Sequence, residues 1–243
     1  MRRVPLLAVL LFGLASPALA GPPYVTDDPE PTDTGHFEIY LYTGQTVELG
    51  GAAGETGLDF NYGALPDLQL TAVVPLSYNS PPHGETVRGL GNVELEAKYR
   101  FLHQETDGWD VAMFPQVVLP SPSHRVADGH AAYFLPVWAE KDFGKWSTFG
   151  GGGCGLHRGG GAIDYCLVGW ALTREIYPGL RLGAEIYHQT ADVQNSKPVT
   201  GLSGGISYDL SAHYHLMLSA GPGLDNAADT DRSQWYAALE FTF

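Results

Sequence analysis

From residue 92 to residue 101 the chain alternates. Val93, Leu95, Ala97, Tyr99 and Phe101 are apolar, and Asn92, Glu94, Glu96, Lys98 and Arg100 stand between them. Four charges interleaved with apolar groups suit a strand, whose successive side chains point to opposite faces, and do not suit a helix. One face must meet an apolar medium and the other a wet one. The same period recurs. Leu180, Leu182, Ala184 and Ile186 alternate with Arg181, Gly183, Glu185 and Tyr187. Leu68, Leu70, Ala72, Val74 and Leu76 alternate with Gln69, Thr71 and Val73. Near the end, Trp235, Ala237, Leu239, Phe241 and Phe243 alternate with Tyr236, Glu240 and Thr242.

Twelve segments predict strands: 36–49, 53–63, 68–79, 87–102, 108–120, 130–142, 145–155, 163–176, 179–190, 199–210, 213–222 and 233–243. The connections at 64–67, around Glu105-Thr106-Asp107, at 143–144, 177–178 and 211–212 are short. Those around 80–86, 121–129, 156–162, 191–198 and 223–232 are longer and polar, and only the first odd connection is short. Tight turns alternating with long loops are the pattern of bacterial membrane barrels, with both termini on the turn side and an even strand count. In that topology Phe37, Tyr62, Tyr99, Phe101, Trp109, Trp146, Tyr208, Tyr214, Phe241 and Phe243 face outward at one height, as an interfacial girdle does. The predicted fold is all-β: a transmembrane antiparallel up-and-down β-barrel of about 12 strands over residues 36–243. Pro75, Pro115 and Pro136 fall inside predicted strands. Each removes a ladder donor and marks a bulge, an irregular register or a strand start. If they end strands instead, the count drops toward ten.

The ends add an address. Arg2 and Arg3, the apolar run Leu6 to Leu14 and the small residues of Ala18-Leu19-Ala20 form a secretory signal peptide over residues 1–20. Residues 21–35, rich in Pro, Asp and Gly, form a periplasmic N-terminal tail that suits neither strand nor helix. No later run approaches the roughly 18 apolar residues of a spanning helix. An exported chain is then either soluble or a membrane barrel, because only helices and closed barrels satisfy the backbone in lipid. The expected location is the Gram-negative outer membrane, with outer-membrane lipids around the barrel. The strand that ends in Phe243 resembles the signal engaged by the barrel assembly machinery. With 13 basic against 27 acidic residues, a net charge of −14 argues against nucleic acid as a partner.

Several segments together carry a family resemblance. They are Gly21-Pro22-Pro23 followed by Thr26-Asp27-Asp28-Pro29, Asn61-Tyr62-Gly63 with Pro66-Asp67-Leu68-Gln69-Leu70, and Val74-Pro75-Leu76. Gly89-Leu90-Gly91-Asn92 with Lys98-Tyr99-Arg100-Phe101, Phe114-Pro115 and Leu135-Pro136-Val137-Trp138 complete the set. From about residue 21 to the end, the chain resembles the outer-membrane family named for the meta-pathway of phenol degradation. The resemblance implies a barrel and passage of hydrophobic or aromatic compounds, and it transfers no catalytic residue.

Candidate chemistry sits on the inward face. By parity the lumen holds Glu38, Asp59, Glu94, Glu96, Asp110, Glu185, Asp209 and Glu240 against Lys98, Arg100 and Arg181, with Tyr40, Tyr42, Tyr187 and Tyr236 beside them. These line either a narrow cation-leaning path or a salt-bridged interior, since eight-stranded barrels are filled and 16–18-stranded ones hold channels. Asp27, Asp28 and Glu30 of the tail form a candidate plug that binds Lys98, Arg100 or Arg181. Cys154 and Cys166 share a side on neighbouring strands and are a disulfide candidate. The nine histidines, His83, His124, His130, His157, His188, His213 and His215 among them, show no metal-ligand spacing, and no cofactor is expected. His188 faces outward near the outer rim without a nearby Ser, so a lipid hydrolase is disfavoured. Three functions stay open: a passive channel for small solutes, a closed structural or surface-binding barrel, and a membrane-embedded lipid-modifying enzyme. The first is preferred, and the chain is read as a non-enzyme.

Overall fold

The computed structural model describes residues 23–48, 51–123, 126, 129–157, 161–228 and 230–243. The expected signal peptide, Gly21, Pro22 and His124 lie outside the described residues. Twelve strands run in chain order. They are β1 (Phe37–Glu48), β2 (Gly51–Leu65), β3 (Leu68–Ser80), β4 (Val87–Leu90 and Val93–Leu102), β5 (Asp110–Met113 and Gln116–Leu119) and β6 (Ala132–Phe143). Then come β7 (Trp146–His157), β8 (Tyr165–Tyr177), β9 (Leu180–Gln189), β10 (Val199–Asp209), β11 (Tyr214–Asp225) and β12 (Asp231–Thr242). Each strand pairs antiparallel with the next, and β12 pairs back onto β1 from Thr242 opposite Glu38 to Asp231 opposite Glu48. The sheet closes on itself into an up-and-down barrel.

The barrel is inside-out relative to a water-soluble protein. Glu185 and Glu240 are among its largest fully buried side chains, while Leu76 is 59% and Leu135 55% exposed. The outward rows carry the apolar residues of the alternating pattern, which suits a lipid belt. At the tight-turn end, Phe37 stacks on Tyr62 and Phe243 with centroids 4.7 and 5.7 Å away, and Tyr214 meets Phe241 edge-on at 5.5 Å. These rings belong to the expected girdle.

The prolines interrupt ladders without ending strands. In an antiparallel strand a residue's N–H and C=O address the same neighbour. The Pro75 carbonyl accepts from Gly91, and the Pro115 carbonyl from Ala97. The Pro136 carbonyl accepts from Phe114. The missing donors of Pro75 and Pro136 therefore face the breaks in β4 and β5, and that of Pro115 faces β4 from within the break in β5. The strand count stays at twelve, but the continuous segments 87–102 and 108–120 are each corrected to two pieces. The connection around Glu105 is corrected to a helical turn, Gln104–Asp107, closed by Gly108 at φ 84°. The segment 213–222 runs on to Asp225, because Gly223 and Asp225 still pair with Gly201 and Thr200 of β10.

Candidate functional site in the barrel lumen

The tail runs through the lumen. It starts at the turn end, where Thr34 bridges Gly63 and the Gly35 N–H donates to the Gly63 carbonyl at 2.7 Å. Gln69 Oε1 on β3 accepts from Thr32 N–H at 2.8 Å and from its hydroxyl at 3.0 Å. On β4, Lys98 Nζ lies 3.2 Å from Asp27 and 3.5 Å from Asp28, and donates to the Glu30 carbonyl at 3.4 Å. Across the lumen, the Glu185 carboxylate of β9 accepts Val25 N–H at 3.0 Å and Thr26 N–H at 2.9 Å. The Ser219 hydroxyl of β11 donates to the Pro23 carbonyl. The wall makes room: a side chain added at Gly169 would meet the Thr26 hydroxyl, and one at Gly205 the Tyr24 ring.

The tail divides the lumen. On the long-loop side, with Tyr24 at its floor, lies a vestibule of about 930 Å³ lined by Gln45, Glu48, Asn79, Asp192 and Asp231 among others. Below Tyr24 and Val25 lies an inner chamber of about 420 Å³. Its lining includes Glu38, Tyr40, Tyr42, Asp59, Glu94, Glu96 and Lys98. The remaining sequence-derived residues lie elsewhere on the inward face. Arg100 is 3.2 Å from Asp67 and 3.5 Å from Asp110 at the turn end, where His103 also reaches Asp67 at 2.8 Å. Arg181 Nη1 donates to Thr173 at 3.5 Å. Of the three cations named as partners for the tail, Lys98 holds Asp27 and Asp28 and meets Glu30 through its backbone carbonyl, while Arg100 and Arg181 are engaged with the wall. Asp209 lies 2.7 Å from His215, Tyr187 is buried, and Glu240, opposite Tyr40, is fully buried. Cys154 and Cys166 stand directly opposite on β7 and β8 and are bonded to each other. On the outer wall, His188 Nδ1 lies 2.8 Å from the Thr200 hydroxyl. Among the described residues no group of His, Cys, Asp and Glu is placed to hold a metal ion.

Burial of carboxyls on the tail has an electrostatic consequence. Burial pushes the Glu30 carboxyl up to about 7, and the neighbouring Asp28 charge adds to the shift. Burial raises the Asp28 carboxyl too, with the Lys98 charge opposing.

Several further residues line the lumen beyond the candidates that the sequence singles out. Glu55 accepts from the Tyr42 hydroxyl at 2.9 Å. Asn61, Gln69 and Thr71 form a buried amide–hydroxyl network, with Gln69 donating to Asn61 at 2.6 Å and to Thr71 at 2.9 Å. Ser147 donates to Glu140. Phe114, Phe134 and Trp138 form an apolar cluster with Tyr165 and Leu167 against it. Glu55 and Asn61 share parity with Asp59, and Gln69 and Thr71 alternate with the apolar row of Leu68 and Leu70, so these four are legible in the sequence. The aromatic cluster was not, because Tyr133, Leu135 and Val137 on the opposite face are apolar too.

No family model and no curated sequence matches this chain. Solved structures do. The COG4313 outer membrane channel from Pseudomonas putida F1 superposes with TM-score 0.74 at 13% identity, over 89% of this chain and 98% of that one. The KdgM porin in complex with disordered oligogalacturonate gives 0.62 at 8%, over 85% and 99%. The NanC porin gives 0.56 at 12%, over 84% and 98%. This chain shares the barrel fold of these outer-membrane proteins. Identities this low establish the fold alone.

Proposed function

We propose that this chain is a passive channel of the Gram-negative outer membrane whose lumen is occluded by its own N-terminal tail. The observation that carries this reading is the path of residues 23–35, tied to the wall at Gln69, Lys98 and Glu185 between two cavities. Twelve strands enclose more space than side chains alone fill and less than an open porin does, and the tail occupies part of the difference. The surplus of carboxylates favours cations, and the aromatic wall formed by Phe134 and Trp138 supports solutes with an aromatic or hydrophobic part. The strand ending in Phe243 presents the chain to the assembly machinery. The lumen provides binding and passage rather than catalysis.

The test is single-channel conductance of the refolded chain in a planar bilayer, with and without residues 21–35. Folding is checked by heat-modifiable gel migration. Cation-preferring steps that grow on removal of the tail are expected. Folded barrels that give no steps in either form would mean a sealed barrel, and would shift attention to its loops as a binding surface.

A further inference from the structure

The inner chamber has two chemically different walls. Thr71, Glu96, Gln116 and Phe134 pair in sequence across β3, β4, β5 and β6, and Gly155 links Phe134 to Tyr165 on β8. The inward row therefore passes from carboxylate through amide to aromatic within a few strands. On one side stand Glu55, Asp59, Glu94 and Glu96. Among the described residues none of these four forms an ion pair with a Lys or Arg, and the nearby Lys98 is taken by Asp27 and Asp28. On the other side the rings of Phe134 and Tyr165 lie stacked, 5.8 Å between centroids and 7° between planes. Gly155 permits this, because a side chain there would collide with the Tyr165 ring. Trp138 completes the aromatic wall; it is 2% exposed, and among the described residues its indole N–H meets no acceptor. The chamber also contains a worked instance of its own chemistry. The Lys98 ammonium is held between two carboxylates and the face of Phe114, 4.8 Å from the ring centroid.

We propose that the inner chamber binds organic cations that carry an aromatic or alkyl body, with the ammonium against Glu94 and Glu96 and the body on Phe134, Tyr165 and Trp138. This deepens the channel reading by naming the solute class of the same lumen. Crowded carboxylates removed from bulk water gain from a cation brought among them. An ammonium near an aromatic face gains further. A volume of about 420 Å³ is in the range of small-ligand sites. An inorganic cation would satisfy the acidic wall and leave the aromatic wall unused. A neutral or anionic aromatic compound would do the reverse.

Calorimetric titration of the detergent-solubilised full chain separates these cases. The probes are benzyltrimethylammonium, tetramethylammonium and 3-phenylpropionate. Benzyltrimethylammonium is expected to bind at least tenfold more tightly than either of the others. In the Glu94→Gln, Glu96→Gln double variant its Kd rises at least tenfold. In Phe134→Leu its advantage over tetramethylammonium shrinks while tetramethylammonium binding holds. Equal or tighter binding of 3-phenylpropionate, or parity between the two ammonium ions, overturns the proposal on the unmodified chain, whether or not the variants fold. Because the assay reads binding, its outcome is separate from conduction. Steps without selective binding sink the solute class and leave the channel. Selective binding without steps does the opposite.

Discussion

Replacing Lys98 with Met removes a side chain that joins two tail carboxylates, Asp27 and Asp28, to the wall. Lys98 is 4% exposed, while the Asp27 and Asp28 side chains are 29% and 12% exposed. Removing one partner of a fully buried pair costs about 3–5 kcal/mol. The partial exposure of Asp27 moves the value down, so about 2–3 kcal/mol is expected here after solvent screening. Met keeps most of the stem volume, so the loss falls on the charge contacts and not on packing. At about 1.4 kcal/mol per factor of ten, the ratio of docked to free tail falls roughly 30- to 150-fold. Single-channel records read this directly as the ratio of open to closed dwell times, and protease cleavage within residues 21–35 reads it independently. Asp27→Asn and Asp28→Asn added to Lys98→Met remove the orphaned charges and should restore part of the docking. That double-mutant logic isolates the pair from unrelated damage. A folded Lys98→Met barrel whose dwell ratio and cleavage rate stay within threefold of the parent would refute the latch.

Acid should close the channel. A carboxyl whose docked pKa lies above its free value holds its proton more tightly when docked, so docking strengthens as pH falls. Glu30 rises from 4.5 to about 7 and Asp28 also rises, so open dwell time should shorten between roughly pH 7 and pH 4.5; Glu30→Gln with Asp28→Asn should flatten the profile, and longer openings in acid would contradict it. Gly169→Val should expel Thr26 from the wall, raising tail cleavage at least tenfold while gel migration of the barrel is unchanged. Val137→Arg puts a charge on an outward-facing residue that is itself 45% exposed; it should cost about 2–4 kcal/mol in refolding from urea into lipid if that row faces hydrocarbon, and a neutral result would place Val137 in water.

The alternation in β4 was legible because its two faces differ in kind. Glu94 and Glu96 have only apolar neighbours in sequence, so parity alone sends them inward. In β6 both faces are apolar at the start, and Phe134 and Trp138 cannot be told from Tyr133 and Val137 without knowing what the barrel encloses. The interrupting prolines were legible as interruptions. Which neighbour each missing N–H faces depends on register, and register is a property of pairs of strands rather than of one segment.

The tail shows the same limit more sharply. Its carboxylates pointed to a basic partner, and Lys98 was among the candidates. Glu185 looked like one more lumen acid, because its partners are backbone N–H groups about 160 positions away. Any residue except proline carries that donor, so no side-chain pattern marks the pair. Gly169 and Gly205 were likewise indistinguishable from the other glycines of a Gly-rich chain, although their missing side chains leave the space that Thr26 and Tyr24 fill. In this barrel the tail is part of the core. A substitution at an inward glycine and one at residues 24–28 act on the same contact, and they should be non-additive when combined.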